Sequence, residues 1–133
     1  MIYLLDTNIC IYLIRKKPRE VIEKLISHSA FDISVSSITV AELEYGVEKS
    51  EFPKKNREAL EEFLLPLEVR QFDAVAARYY GSVRVKLEKT GRPIGSFDLL
   101  IAAHALSIGA TVVTNNMREF SRVPDLATEN WVK

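Results

Sequence analysis

The sequence predicts an α/β fold built on a mostly parallel sheet, and three observations carry that expectation. Short apolar segments rich in β-branched residues alternate with longer stretches whose apolar residues recur at helical spacing. The first apolar segment, in MIYLLDTN, ends abruptly on Asp6, Thr7 and Asn8, so it reads as a buried strand feeding a helix. No internal repeat, low-complexity stretch or linker interrupts the alternation, and residues 1–133 read as one domain.

Each element follows from local chemistry. Ile2 to Leu5 form the first strand, and Thr7 or Asn8 caps a helix carrying Ile9, Ile11, Tyr12, Leu13 and Ile14 up to the basic run Arg15, Lys16, Lys17. Pro18 restarts the chain, and Val21, Ile22, Leu25 and Ile26 give the apolar face of a helix over 19–29. DISVS, residues 32–36, is a β-branched strand, after which Ser36 and Ser37 cap a helix over 38–49. Pro53 opens an amphipathic helix that Pro66 ends, and LEVRQF alternates as a strand does. Asp73 to Lys89 is a long helix stopped by Gly91 and Pro93. Gly95 and Ser96 introduce FDLLIAAHALSIG, apolar on nearly every side and capped by Gly109. Thr111 to Thr114 is a buried strand, Asn115 to Phe120 a turn or single helical turn, and Leu126 to Trp131 an edge strand.

Composition narrows the class. With 133 residues the chain can bury roughly two thirds of its unfolded surface without metal or disulfide. Hydrophobic residues at 47% and charged residues at 27% exclude long disorder. The lone cysteine, Cys10, has no internal partner, and no leader with a cleavage site precedes the core; both point to the cytoplasm. Eighteen basic and eighteen acidic side chains cancel, so a polyanion partner must use a local patch. The apolar run 94–114 raises a membrane question, which Asp98, His104, Gly95 and Gly109 answer in favour of a buried helix and strand.

Four acidic or amide positions follow a buried strand or lie near the start of an apolar helix: Asp6, Glu42, Asp98 and Asn116. Each has a bland reading. Asp6 caps a helix, Glu42 sits on a solvated face, Asp98 complements a helix dipole, and Asn115 and Asn116 form a turn. Together they weigh more, because two like charges about 4 Å apart repel by ~4 kcal/mol at an effective dielectric of about 20, so clustered carboxylates need protons or a cation between them. An all-oxygen donor set suits Mg²⁺ or Mn²⁺ rather than zinc. His28 ends an amphipathic helix and His104 lies in a buried one, and neither reads as a ligand.

LLDTN, SSITVAELEYG, GRPIGSFDLLIAAHA and VVTNNMREF, in this order, resemble the PIN-domain ribonucleases, and more narrowly the VapC toxins of VapBC toxin–antitoxin pairs. The resemblance runs from Met1 to the terminal ENW. It implies a three-layer α/β/α sandwich whose acids converge at the carboxyl edge of the sheet and bind Mg²⁺ or Mn²⁺ for RNA hydrolysis. By motif, Asp6, Glu42 and Asp98 match the three core acids and metal ligands. Asn116 falls where many PIN domains carry a fourth Asp, and Glu119 is placed to supply the missing charge. Thr7 and Thr114 read as hydroxyls that support the ligands or hold water.

The chemistry this implies is metal-assisted phosphodiester hydrolysis, with no covalent protein intermediate. Three carboxylates and an amide would hold one divalent ion well, and a second would arrive with the RNA phosphate. The implied protein is an endoribonuclease cutting transfer RNA or another structured RNA, inhibiting translation until a VapB-like antitoxin masks the acidic cleft, and assembling as a homodimer. Phosphate contacts fall to Lys16 with Arg15 and Lys17, to Arg84 and Lys86 with Lys89, to Arg118, and above all to Arg92, which Gly91 and Pro93 fix in the loop leading to Asp98. Tyr45, Phe52, Phe63, Tyr79 and Tyr80 serve either as interface aromatics or as core.

Three rivals share part of this pattern. A PIN nuclease of RNA processing would have the same site without an antitoxin. A phosphate-transferring hydrolase with an Asp nucleophile would want a second Asp where Asn8 stands. A phosphoacceptor signalling domain would not need Glu42.

Overall fold

The computed structural model describes residues 1–133 and centres on a strand, Tyr3–Leu5 (β1), paired on both sides. On one side lie Ile33–Ser36 (β2) and then Glu68–Arg70 (β3); on the other lie Thr111–Val113 (β4) and then Thr128–Glu129 (β5). All four pairings are parallel, giving the order β3-β2-β1-β4-β5. The chain winds outward from β1 to β3 and then returns to the far side of β1 with β4. The order therefore reverses between β1 and β4, and the carboxyl ends of those strands flank the crevice where open α/β sheets bind ligands.

The period-2 alternation of the strands assigns side chains to two layers of helices. Leu5, Ile33, Val35 and Val113 face helices Thr7–Arg15 (α1), Arg19–Ile26 (α2), Ser37–Glu48 (α3) and Pro53–Leu64 (α4), meeting Ile9, Leu13, Val21, Leu43 and Leu60. Leu4 and Val112 face the opposite layer, Ala74–Lys89 (α5), Ser96–Ile108 (α6) and the single turn Met117–Phe120 (α7), meeting Val83, Leu87, Ile101, Ala102 and Phe120. This is the expected three-layer α/β/α sandwich. Helix α6 is buried on several sides, and its alanines at 102, 103 and 105 allow close packing against the sheet and α5. No helix is long and apolar enough to cross a membrane.

Several boundaries differ from the sequence expectation by one residue, Asp32 falling in a 3-10 turn ahead of β2, and four differ for an evident local reason. Helix α1 is capped by Asp6, whose Oδ1 accepts from the Ile9 N–H at 3.1 Å, and not by Thr7 or Asn8, which are already helical. Helix α2 stops at Ile26, three residues early: the Ser27 hydroxyl turns back to the Lys24 carbonyl at 2.6 Å, and the His28 ring stacks on Trp131 at 5.3 Å. Strand β3 keeps only residues 68–70 of the expected 67–72. The last strand is limited to residues 128–129, because the Asn130 side-chain Oδ1 accepts from the Val132 N–H at 2.9 Å and bends the chain away.

That bend drives Trp131 into the α1–α4 layer, where it is 2% exposed, with its Nε1–H donated to Glu129 at 2.8 Å. Trp131→Ala is expected to cost about 3–5 kcal/mol of stability, read as a lower urea midpoint at unchanged slope.

Candidate active site

The sheet places its first two site residues by register. Leu5 pairs with Val113, so Asp6 and Thr114 leave β1 and β4 side by side. The Asp6 N–H still donates to the Val113 carbonyl at 3.0 Å, and the Thr114 hydroxyl donates to Asp6 Oδ2 at 2.5 Å. Asp6 is 3% exposed, and burial raises its pKa against the lowering pull of Thr114 and the N–H groups of Ile9 and Asn8. It is at once a helix cap and a fixed carboxylate aimed along the crevice.

Glu42 reaches the same edge from α3. The helix begins where the Ser36 side chain accepts from the Ile38 N–H at 3.0 Å, and Glu42 lies two turns further on, off the buried stripe of Thr39, Leu43 and Val47. Its Oε1 accepts from the Thr7 hydroxyl at 2.6 Å, and its charge contributes to raising the Asp6 pKa. Thr7 and Thr114 thus each hold one of the first two acids.

The other side is built by Asp98, Asn116 and Glu119. Asp98 sits in the first turn of α6, half-buried. The Asn116 amide donates to Asp98 Oδ2 at 3.0 Å and to Glu119 Oε2 at 2.8 Å, while its own N–H donates to the Thr114 hydroxyl at 2.8 Å. Glu119 Oε1 accepts from the Gly95 N–H at 3.0 Å. The sequence leaves open whether Asn116 or Glu119 completes the site; the structure brings the two together, with the Asn116 amide bridging the Asp98 and Glu119 carboxyls.

Like charge is concentrated here, and the titration of the acids records it. Burial, then the adjoining Glu119 carboxyl and the Asp6 charge, push Asp98 up to about 7. Glu119 moves the opposite way, held down chiefly by its hydrogen bond with Asp98 and also by the Asn116 amide, the Gly95 N–H and the Arg122 guanidinium. The two carboxyls titrate as a pair, with Asp98 displaced upward and Glu119 downward.

The donor chemistry fits a hard divalent cation. All donors are oxygens, no Lys or Arg side chain hydrogen-bonds Asp6, Glu42 or Asp98, and their mutual repulsion demands positive charge. A Cβ on Gly95 would stand 3.8 Å from Asp98 Oδ2 and 3.9 Å from both Glu119 oxygens, so glycine leaves these oxygens uncovered. No three acidic, cysteine or imidazole groups lie close enough together to hold a metal ion as they stand, so the fit to a hard cation rests on the all-oxygen chemistry of the donors.

The basic residues singled out from sequence stay outside this cluster. Arg92 is exposed in the loop before α6, its backbone N–H fixed on the Leu87 carbonyl at 2.9 Å. Lys16 is the exposed left-handed cap of α1, and Lys86 and Arg118 are exposed on α5 and α7. Arg84 is occupied by Glu88 and the Tyr80 hydroxyl. Sequence reasoning missed two contributors, the Gly95 N–H and Arg122, whose Nη1 holds the Pro93 carbonyl at 2.9 Å. Nothing in a lone Arg near a chain end signals such a reach. Of the five aromatics, Tyr45 and Phe52 are exposed, Tyr79 partly so, while Phe63 and Tyr80 pack on the core.

The model of the PIN domain matches residues 3–126. A ribonuclease VapC2 of Rickettsia felis is 48% identical over the full length of both chains, and a tRNA(fMet)-specific endonuclease VapC of Shigella flexneri is 46% identical over 97% of each. The crystal structure of VapBC2 from Rickettsia felis, bound to a DNA fragment from its promoter, contains a chain that superposes with a TM-score of 0.93 at 47% identity, covering 99% of this chain and all of that one.

The Asp98 shift has a thermodynamic consequence. A folded-state pKa of about 7, above the ordinary 3.8, means the native state binds more protons than the unfolded chain across that window. Stability therefore falls as pH rises from about 4 to about 7 and stays lowered above it. Allowing for the solvent-facing half of the carboxyl, the penalty at pH 8 is roughly 1 kcal/mol. In EDTA, Asp98→Asn should melt about 4 °C higher than wild type at pH 8 and with no advantage at pH 4. Millimolar Mg²⁺ should raise the wild-type melting temperature at pH 8 and leave the variant nearly unchanged.

Proposed function

This chain belongs to the PIN-domain family, and we propose that it is a divalent-metal-dependent endoribonuclease that cuts structured RNA, transfer RNA foremost, as the toxin of a toxin–antitoxin pair. The observation that carries the reading is a run of acids along the switch-point edge of the sheet, in which Asp6 feels the charge of Glu42, and Asp98 feels the charge of both Glu119 and Asp6. Support for the RNA class comes from the endonuclease and ribonuclease names of relatives aligned over nearly the whole chain, and support for a VapB-like antitoxin from the VapBC assemblies among its structural neighbours.

In this mechanism Asp6, Glu42 and Asp98 hold Mg²⁺ or Mn²⁺. When bound, the ion supplies an activated water and neutralises charge building on the scissile phosphate. Thr114 and the Ile9 N–H keep Asp6 in one orientation, so its carboxylate needs no rearrangement on binding. Thr7 does the same for Glu42. Asn116, donating to both Asp98 and Glu119, orients the Asp98 carboxyl that would hold the ion. Arg92, on the loop entering α6, draws the RNA phosphates to the edge, with Lys16, Lys86 and Arg118 as outlying contacts; Arg84, expected from the sequence to join them, is taken up by Glu88 and the Tyr80 hydroxyl. A homodimer and an antitoxin that masks this edge complete the proposal.

Incubating purified protein with total RNA in Mg²⁺ or Mn²⁺ should yield discrete fragments. Asp6→Ala and Asp98→Ala should each lower cleavage on the order of 10²-fold or more while remaining folded by circular dichroism; cleavage surviving in both would sink the assignment. In the same assay Arg92→Ala should weaken cleavage and flatten its log–log salt dependence by about 0.7 to 0.9 of a unit, the slope of one lost phosphate contact. Calorimetry without RNA should titrate a single tight ion per chain, a second appearing only with RNA present.

A further inference from the structure

A groove of about 140 Å³ between α5 and the start of α6 takes no part in the acidic cluster. Tyr80 and Leu87 form its wall on α5, and Ile94 and Leu99 the wall opposite. We propose that this groove receives one unstacked nucleobase of the RNA substrate, close to the scissile phosphate. The inference rests on the endoribonuclease reading and adds to it the feature that selects where the RNA is cut.

Three observations carry it. The first is position. Ser96 and Leu99, which line the groove, belong to the first turn of α6, as Asp98 does, so the groove lies at the same end of that helix as the acidic edge, on a neighbouring face. Phe97, between Ser96 and Asp98, is 49% exposed, so this turn presents apolar ring surface where the bland expectation is a polar helix start.

The second is charge. Arg84 Nε donates to Glu88 Oε2 at 3.1 Å, and its Nη1 donates to the Tyr80 hydroxyl at 3.0 Å, both groups also lining the groove. The guanidinium charge is thus offset by a carboxylate within the same small space. A phosphate would meet Glu88 there, whereas a neutral heterocycle meets apolar walls and a rim of hydroxyl, guanidinium and carboxylate able to pair with its edge.

The third is size. The volume lies well below the roughly 300 Å³ at which small-molecule sites begin, so it suits one planar ring system and not a whole nucleotide. Sequence-selective RNA proteins commonly work this way, splaying bases from loops onto aromatic side chains or Arg planes and reading their edges.

The test uses the full chain and the RNA it cuts. Total transfer RNA is digested by wild type and the bond mapped; the stem-loop containing it is then synthesised with each unpaired nucleotide in turn made abasic. Wild type should show one position beside the cut where the abasic change lowers kcat/KM about fivefold or more, the scale of a lost base–aromatic stack. In Tyr80→Leu that penalty should shrink to within twofold, while Tyr80→Phe should retain it. If Tyr80→Leu fails to fold, Arg84→Ala, altered at an exposed position, carries the same comparison. Equal penalties in wild type and variant, or no sensitive position at all, would overturn the groove while leaving the nuclease intact. Failure of wild type to cut any RNA with either metal would remove both.

Discussion

A carboxylate buried at the seam between two parallel strands is the constraint on which the rest of the site depends. Asp6 is almost without solvent, and an ionised group there is tolerable only if its oxygens find donors. They do: the Thr114 hydroxyl on one oxygen and the first free N–H groups of α1 on the other side. Because Thr114 follows β4 and Asp6 follows β1, this bond spans the place where strand order reverses. Thr114 accepts the Asn116 N–H in turn, and that sets the amide bridging Asp98 and Glu119. One contact between residues 108 positions apart therefore propagates to both halves of the site.

Such a site stores electrostatic cost rather than stability. The Asp98 carboxyl is pushed up by burial and by its neighbour Glu119, while Glu119 is held down by its hydrogen bond with Asp98, the Asn116 amide, the Gly95 N–H and Arg122. The surrounding framework supplies what the acids withhold: two apolar layers, one on each face of the sheet, contain the largest buried side chains of the chain. The proposed cation would meet carboxylates already oriented by neutral donors, so its binding energy would not be spent on reorganising the fold.

Much of this was legible in the sequence because backbone chemistry and site chemistry coincide there. The strand-to-helix junction at Asp6, the apolar α6 opening near Asp98, and the turn after β4 were all marked by abrupt changes from apolar to polar residues. What the sequence obscured has physical causes. Asp6 took the cap role that Thr7 and Asn8 were equally suited to by type, because only the strand register decides which residue has extended backbone. The choice between Asn116 and Glu119 was not a choice in three dimensions, since a one-turn helix brings positions three apart onto one face. Arg122 was invisible because its partner, the Pro93 carbonyl, lies 29 residues away and belongs to the backbone.

The zero net charge of the chain then acquires a meaning beyond solubility. An enzyme of polyanions usually gains encounter rate from a broad positive field, and a balanced chain forgoes it. Here the reacting edge is itself anionic, so unloaded protein repels the phosphate it is proposed to cut, and attraction is confined to a few exposed cations around the rim. Phosphate contacts of that kind hold any RNA nearly equally and cannot choose a bond. Discrimination must come from groups indifferent to the backbone charge. The groups that meet this requirement are the exposed Phe97 ring, on the helical turn that carries Asp98, and the groove between that turn and the Tyr80–Arg84–Glu88 face of α5.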